Sequence, residues 1–180
     1  MSSIDWKLSS YHYKLPESLI AQHPTQNRDQ SRMLFLDRSK GILSHRKFTE
    51  IITLLPEGSC VVINNTKVIP ARLPGRRKTG AEIEALLVKE NVRGQWRAVV
   101  RKAGRIKQGE KLDFCDETIC ATALERNNSG EWLLEFEEQE SLKERLEKFG
   151  LPPLPPYIKR QNADKIQNSD DKERYQTCFA

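Results

Sequence analysis

"ICATALERNNSGEWLLEFEE", residues 119–138, reads as two strands folded back on each other. In its second half Trp132, Leu134 and Phe136 point one way while Glu131, Glu135 and Glu137 point the other, because successive side chains of a strand alternate faces. In its first half Ile119, Ala121 and Ala123 make a face of small residues, against which such bulky side chains can pack across strands. Between the halves, "NNSG" (127–130) supplies turn formers.

The same texture extends upstream. "ARLPGRR" (71–77), "EIEALLVKE" (82–90), "QWRAVVRK" (95–102) and "EKLDFC" (110–115) are strand-like runs. They are separated by turns that include "NVRG" (91–94) and "GRIKQG" (104–109). Six short strands at this spacing predict a small antiparallel barrel or sandwich over about 71–138.

Before residue 71 the pattern differs. "LPESLIAQ" (15–22) predicts a short helix opened by Pro16. "RMLFLDR" and "GILSHRKF" around "SK" and Gly41 predict a hairpin. Phe48, Ile51, Ile52 and Leu55 share one helical face, which Pro56 and Gly58 terminate. "SCVVINNT" (59–66), a continuous apolar run closed by asparagines, predicts a buried strand. Helix, turn and buried strand together predict the start of an α/β layer. After the strands, Ser141 and Glu144 fit a capping box, Leu142, Leu146 and Phe149 share a face, and Gly150 suits a helix C′ position. The division expected is therefore 1–70 in a main domain, 71–140 inserted, and 141–180 returning to the main domain.

Composition limits the function classes. The 180 residues are 37% hydrophobic and 31% charged, with a mean hydropathy of −0.66. No apolar run approaches the roughly 20 residues that span a bilayer, and the N-terminal residues lack the basic-then-apolar order of a secretory leader. A cytoplasmic location without membrane contact is expected. Thirty basic and 25 acidic side chains give +5, which admits a nucleic-acid partner without requiring one. "GRRKTG" (75–80) and "RKAGRIK" (101–107) concentrate cations, while "EFEEQE" (135–140) concentrates acids. Cys60, Cys115, Cys120 and Cys178 are scattered, with no CxxC and no partner at zinc-ligand spacing; buried or inert thiols and no metal are expected. His12, His23 and His45 read as surface or hairpin residues. Glu82 and Glu84 read as the solvent face of a strand.

No nucleotide-binding glycine motif, serine-hydrolase elbow or zinc-protease signature is present. Three stretches carry candidate binding chemistry. "NNTKVIPARL" (64–73) follows the expected buried strand, where α/β proteins place ligands. There Asn64, Asn65 and Thr66 offer amide and hydroxyl groups, and Lys67 and Arg72 offer cations for phosphate or carboxylate. A plain crossover with polar turn residues is the competing reading. "GLPPLPPYIKR" (150–160) is neither helix nor central strand, because proline lacks the N–H. Its prolines pre-set an extended backbone that presents Tyr157, Lys159 and Arg160; a stiff interdomain strap is the alternative. "ERYQT" (173–177) lines up Arg174, Tyr175 and Gln176.

These stretches, in this order, resemble the N-terminal half of the S-adenosylmethionine:tRNA ribosyltransferase-isomerase family. The matching segments are "LPESLIAQHPTQNRDQSRML" (15–34), "VVINNTKVIPARLPGRRKTGAEIEALL" (61–87), "GLPPLPPYIKR" (150–160) and "ERYQTCFA" (173–180). Ala81 stands where a glycine is expected. The resemblance implies an α/β main domain, incomplete here, interrupted by a small antiparallel β-barrel, with the proline segment as a rigid junction beside a substrate site.

It also implies an activity: transfer and isomerisation of the ribosyl part of S-adenosylmethionine onto an aminomethyl-deazaguanine at the tRNA wobble position, giving epoxyqueuosine. S-adenosylmethionine is then a co-substrate, with no tightly bound cofactor and no metal, and tRNA is the partner. The substrate-binding residues implied are Asn64, Thr66, Lys67, Arg72, Tyr157, Arg160, Arg174, Tyr175 and Gln176; no general base is assigned. Family members continue for about a further domain's length and are expected to be monomers when full-length. The 180 residues alone are thus expected to be incomplete and inactive. A small-barrel RNA-binding module without catalysis, or a non-functional remnant, are the competing expectations.

Overall fold

The computed structural model describes residues 6–102, 104, 106–137, 139–160 and 165–178, with 165–169 described by their backbone alone. The chain divides into two compact units, Met1–Val62 with Pro155–Arg160, and Ile63–Leu154 with Gln161–Ala180.

The first unit holds the expected hairpin. Strands β1 (Arg32–Asp37) and β2 (Ile42–Lys47) pair antiparallel, with Leu34 opposite His45 and Leu36 opposite Leu43. The Asp37 carboxylate accepts the N–H groups of Ser39 and Lys40, at 3.0 and 3.1 Å, and so fixes the turn. The apolar face from Phe48 forms as a 3-10 turn, Phe48–Glu50, running into helix α1 (Ile51–Leu54). Glu50 closes it by accepting the Lys47 N–H at 2.8 Å. Around 15–22 only a single 3-10 turn forms, Glu17–Leu19 after Pro16, instead of the expected helix. The chain turns extended at Ile20, and beyond it the Gln22 side chain bonds both Tyr157 and Lys159.

None of residues 6–69 is buried. The stretch 59–66, expected as a buried strand, has no strand structure, and Val61, Val62 and Ile63 are 61%, 92% and 53% exposed. The physical reason is plain: a strand needs a ladder partner and a covering layer, and no described residue supplies the ladder.

The second unit is built on the six expected strands: β3 (Arg72–Arg77), β4 (Glu82–Val92), β5 (Gln95–Arg101), β6 (Lys111–Phe114), β7 (Ile119–Arg126) and β8 (Trp132–Phe136). They close into an antiparallel barrel in the order β3-β4-β5-β8-β7-β6. The bulky-against-small pairing is realised directly, with Phe136 opposite Ala121 and Leu134 opposite Ala123. Leu73, Ala85, Ala98, Leu112, Phe114, Ile119, Ala123, Leu134 and Phe136 are all fully shielded, so the inward face of every strand contributes. Register shifts at Leu87/Lys89 and Ala123/Glu125 mark bulges, which bend strands enough to close a small barrel.

On the outer face, Arg77 forks onto Glu110 at 2.6 and 2.9 Å. That guanidinium holds the Glu110 carboxyl below its ordinary value. Cys115 and Cys120 are partly buried while Cys60 and Cys178 are exposed; burial pushes the Cys115 thiol up to about 11.

Helix α2 (Leu142–Phe149) follows the barrel and buries Leu142 and Leu146 in its core. Two details differ from the sequence reading. Ser141 makes no side-chain cap, because its hydroxyl instead accepts Arg145 Nε at 3.2 Å. Gly150 is extended, at φ −68°, so no left-handed cap demands glycine there. A close approach does: a Cβ at Gly150 would collide with the Pro70 carbonyl and sit 2.7 Å from that of Leu146. Helix α3 (Lys165–Arg174) ends the described chain with residues 175–178.

Candidate functional site

In the second unit the polar stretch 64–72 runs to the barrel and is clamped by the residues after α3. Val68 donates its N–H to Gln176 Oε1 at 2.7 Å, and Gln176 Nε2 returns a bond to the Val68 carbonyl at 3.0 Å. A glutamine amide carries one donor and one acceptor in a plane, so it stands in for a neighbouring strand. The Thr177 hydroxyl donates to the Thr66 carbonyl at 2.7 Å. Lys67 reaches Glu147 of α2 at 2.9 Å, and Lys172 donates to the Glu147 carbonyl at 2.6 Å. Both partners of the Lys67 pair are about half exposed or more, so the pair positions the stretch and adds little stability.

Thr66, Lys67 and Gln176 are therefore brought together, with Tyr175 beside them. Tyr175 and Gln176 line a cleft of about 50 Å³ with Val68, Pro70, Glu147, Pro152 and Lys172. Asn64 adjoins this cluster through Thr66, while the side chains of Arg72 and Arg174 are engaged elsewhere. Asn64 turns its amide oxygen onto the Thr66 N–H at 2.9 Å, closing its own turn. Arg72 lies on the barrel wall, with Nε and Nη2 both 2.8 Å from Glu84, which also meets Arg101 at 3.4 Å. Arg174 bonds Asp170 along its own helix at 3.4 Å.

Tyr157 and Arg160 belong to the first unit. Gln22 spans the "PPYIKR" segment there: its Nε2 donates to the Tyr157 carbonyl at 3.1 Å and its Oε1 accepts the Lys159 N–H at 2.8 Å. Lys159 also pairs with Glu17 at 2.8 Å, a contact that lowers the Glu17 carboxyl from its ordinary value. The Tyr157 side chain remains 55% exposed, available for stacking.

Glu147, Lys172 and Thr177 were not singled out from the sequence. Glu147 sits on a helical face that reads as solvated, Lys172 lies in a stretch that reads as polar loop but forms α3, and the bonds of Thr177 depend on a fold-level meeting with residue 66. Phe179 and Ala180 of "ERYQTCFA", and Arg105 of "RKAGRIK", lie outside the described residues. Among the described residues no group of three or more His, Cys, Asp or Glu side chains is placed to hold a metal, and no helix is long and apolar enough to cross a membrane.

Gln176→Glu tests the clamp, because it replaces the donor facing the Val68 carbonyl with a carboxylate oxygen. The variant is expected to speed hydrogen exchange at the Val68 amide by about three- to tenfold, the scale of one solvent-exposed hydrogen bond lost. Unchanged exchange would show that the stretch is held by something else.

A closed six-stranded barrel whose incoming chain is latched by the Gln176 amide defines a small-barrel protein with a polar edge. The chain belongs to the family described as queuosine biosynthesis protein, whose model matches residues 8–180. It is 40% identical over 174 residues to the S-adenosylmethionine:tRNA ribosyltransferase-isomerase of Staphylococcus saprophyticus, covering 96% of this chain and 49% of that protein. The same figures hold for the Staphylococcus epidermidis protein of that name. A crystal structure of S-adenosylmethionine tRNA ribosyltransferase from Thermotoga maritima is 39% identical, with 77% of this chain and 47% of that chain covered at a TM-score of 0.40. The chain spans about half the length of the curated relatives it matches.

Proposed function

We propose that this chain supplies the N-terminal half of an S-adenosylmethionine:tRNA ribosyltransferase-isomerase. The reaction moves the ribosyl part of S-adenosylmethionine onto an aminomethyl-deazaguanine at the wobble position of tRNA and isomerises it to the epoxide of epoxyqueuosine. Adenine and methionine leave. The sulfonium acidifies the adjacent ribose carbon, so a general base suffices to start the reaction. S-adenosylmethionine is consumed as a co-substrate, and no tightly held cofactor enters. The complete protein is a cytoplasmic monomer, an α/β main domain (1–70 and 141–180 in this part) with the barrel inserted at 71–140.

The observation that carries this reading is the family match over residues 8–180, which includes all three candidate stretches. The substrate-binding residues proposed are Asn64, Thr66, Lys67, Arg72, Tyr157, Arg160, Arg174, Tyr175 and Gln176. The cleft beside Gln176, about 50 Å³, takes a water rather than a nucleoside. The reading therefore requires the further half that the relatives carry, in the same chain or supplied separately.

The test is to join this chain to the remaining half of the Staphylococcus saprophyticus relative and measure adenine release with precursor-bearing tRNA. Release dependent on both substrates is expected. Arg72→Ala in that protein should lower kcat/KM at least about tenfold, or 1.4 kcal/mol, while Glu84→Ala should not. Equal losses would reduce Arg72 to a wall residue, and no adenine release from a folded, joined protein would remove the reading.

A further inference from the structure

The two ends of the barrel differ in charge. Arg76 lies opposite Glu82, Arg77 opposite Leu112, Glu84 opposite Arg101 and Arg126 opposite Trp132. These registers bring the loops after β3, β5 and β7 to one end. That end exposes Arg76, Lys78, Arg101, Lys102, Lys107 and Arg126. Of its acids, Glu110 is engaged by Arg77, Glu82 by Lys102, Glu84 by Arg72 and Arg101, and Glu125 by Arg97; Glu131 accepts the Asn127 amide, and Asp113 lies opposite Arg76 on β6. Arg76, which sits between Glu82 and Asp113 in the ladder, and Lys78 are exposed, and neither forms a salt bridge among the described residues.

The other end carries α2, whose Arg145 bonds the Thr118 carbonyl. It exposes Asp116, Glu117, Glu140 and Glu144 alongside Arg93, Lys143 and Lys148, with Arg93 paired to Glu140. The excess of exposed cations therefore lies at the first end, the one a polyanion prefers. Arg76 lies near the end of β3 and Lys78 opens the short turn to β4, so the ladder on either side fixes their backbone and little ordering is lost when they meet a phosphate.

We infer that the end of the barrel formed by the loops after β3, β5 and β7 docks the phosphate backbone of RNA, an inference that rests on the tRNA-modifying reading above. Arg76 supplies a planar fork for phosphate oxygens and Lys78 a point charge. Contacts of this kind position a nucleic acid without reading its bases, so this surface gives the barrel affinity for tRNA of any sequence.

The experiment is fluorescence anisotropy of unmodified tRNA with the 180-residue chain across a salt series. Each phosphate contact removed should lower the slope of log affinity against log salt by about one. The double variant R76A/K78A is expected to lower it by about two and to weaken binding by about tenfold or more at low salt. Lys143→Ala, on α2, should change neither. Because both side chains are exposed and form no salt bridge among the described residues, the double variant should melt with the parent chain, which separates docking from folding. An unchanged slope in R76A/K78A, no tRNA binding by the parent chain, or preferential capture by anionic phosphatidylglycerol vesicles would each overturn the inference. Adenine release from the joined protein is read separately: its absence with the salt slope intact counts against the transferase reading alone.

Discussion

Phe136→Ala is expected to destabilise the barrel by about 3–5 kcal/mol, the range for truncating a buried phenylalanine. Phe136 is fully shielded, and its backbone is pinned by a 2.9 Å bond from its N–H to the Gly94 carbonyl. Its cross-strand neighbour is Ala121, and Ala123 and Ala98 are also alanines of the same core. Alanines cannot swing into the space a lost ring leaves, and a closed ladder resists collapse. The cavity therefore persists, which puts the cost toward the upper part of the range. For a barrel of this size the melting temperature should fall by at least about 12 °C. Trp96 and Trp132 lie in this core while Trp6 is 85% exposed, so the blue-shifted part of the tryptophan emission reports the barrel. Leu34→Ala, at a position 60% exposed on β1, should leave that transition where it is. A Phe136→Ala loss below about 1.5 kcal/mol would mean that the core relaxes, contrary to the ladder described.

Gly75→Ala is the second large effect, and it works by the opposite means. Gly75 lies where β3 pairs with β4 on one side and β6 on the other, opposite both Ile83 and Phe114. A methyl there would run into the Asp113 carbonyl and the Phe114 ring. One obstacle is backbone and the other a fully buried side chain, so neither yields cheaply. The seam between β3 and β6 has only three paired positions, Gly75 to Arg77, and prying it apart opens the barrel. A loss of about 3 kcal/mol or more is expected, the upper end for overpacking. Gly80→Ala makes the comparison. Its φ is +81° and nothing lies within 4 Å, so it should cost only the left-handed penalty of about 1–2 kcal/mol. If the two variants melt together, backbone conformation and not close approach explains Gly75.

Much of the barrel was legible because alternation is a local property. Trp132, Leu134 and Phe136 declare their face within five residues, and the six strands could be read one by one. The pairing of β3 with β6 and of β5 with β8 was not legible, since it joins strands that are not consecutive and leaves no period in the sequence. Val61 to Ile63 were misread for an instructive reason: a continuous apolar run states a need for burial but not the presence of what covers it.

The site divides along similar lines. Thr66, Lys67 and Gln176 were picked for their chemistry, yet the use of Gln176 as a surrogate strand for Val68 could not be foreseen. A side chain meeting a backbone across that separation has no periodic signature. Arg72 was chosen as a cation for a ligand, and its proximity to Glu84 follows from the β3–β4 register, in which Arg72 faces Leu86 and Pro74 faces Glu84. Gly150 was correctly marked as special, but for its φ instead of its closeness to Pro70.

Arg72 and Leu151 exchange backbone bonds in both directions, at 3.1 and 2.9 Å, and form an isolated antiparallel bridge. The polypeptide that departs at Arg72 thus comes back within one strand spacing of where it left. Seen from the flanking segments, everything between these two residues is a pendant rooted at one backbone pair, with the bonds of Lys67 and Lys172 to Glu147 bracing it beside that root. Its loops can lengthen, shorten or change charge without altering the distance between the two chain ends at the root. The entropy of closing so long an excursion is absorbed by the folding of the pendant itself. That arrangement leaves the far loops free to vary while the geometry at the root stays constant.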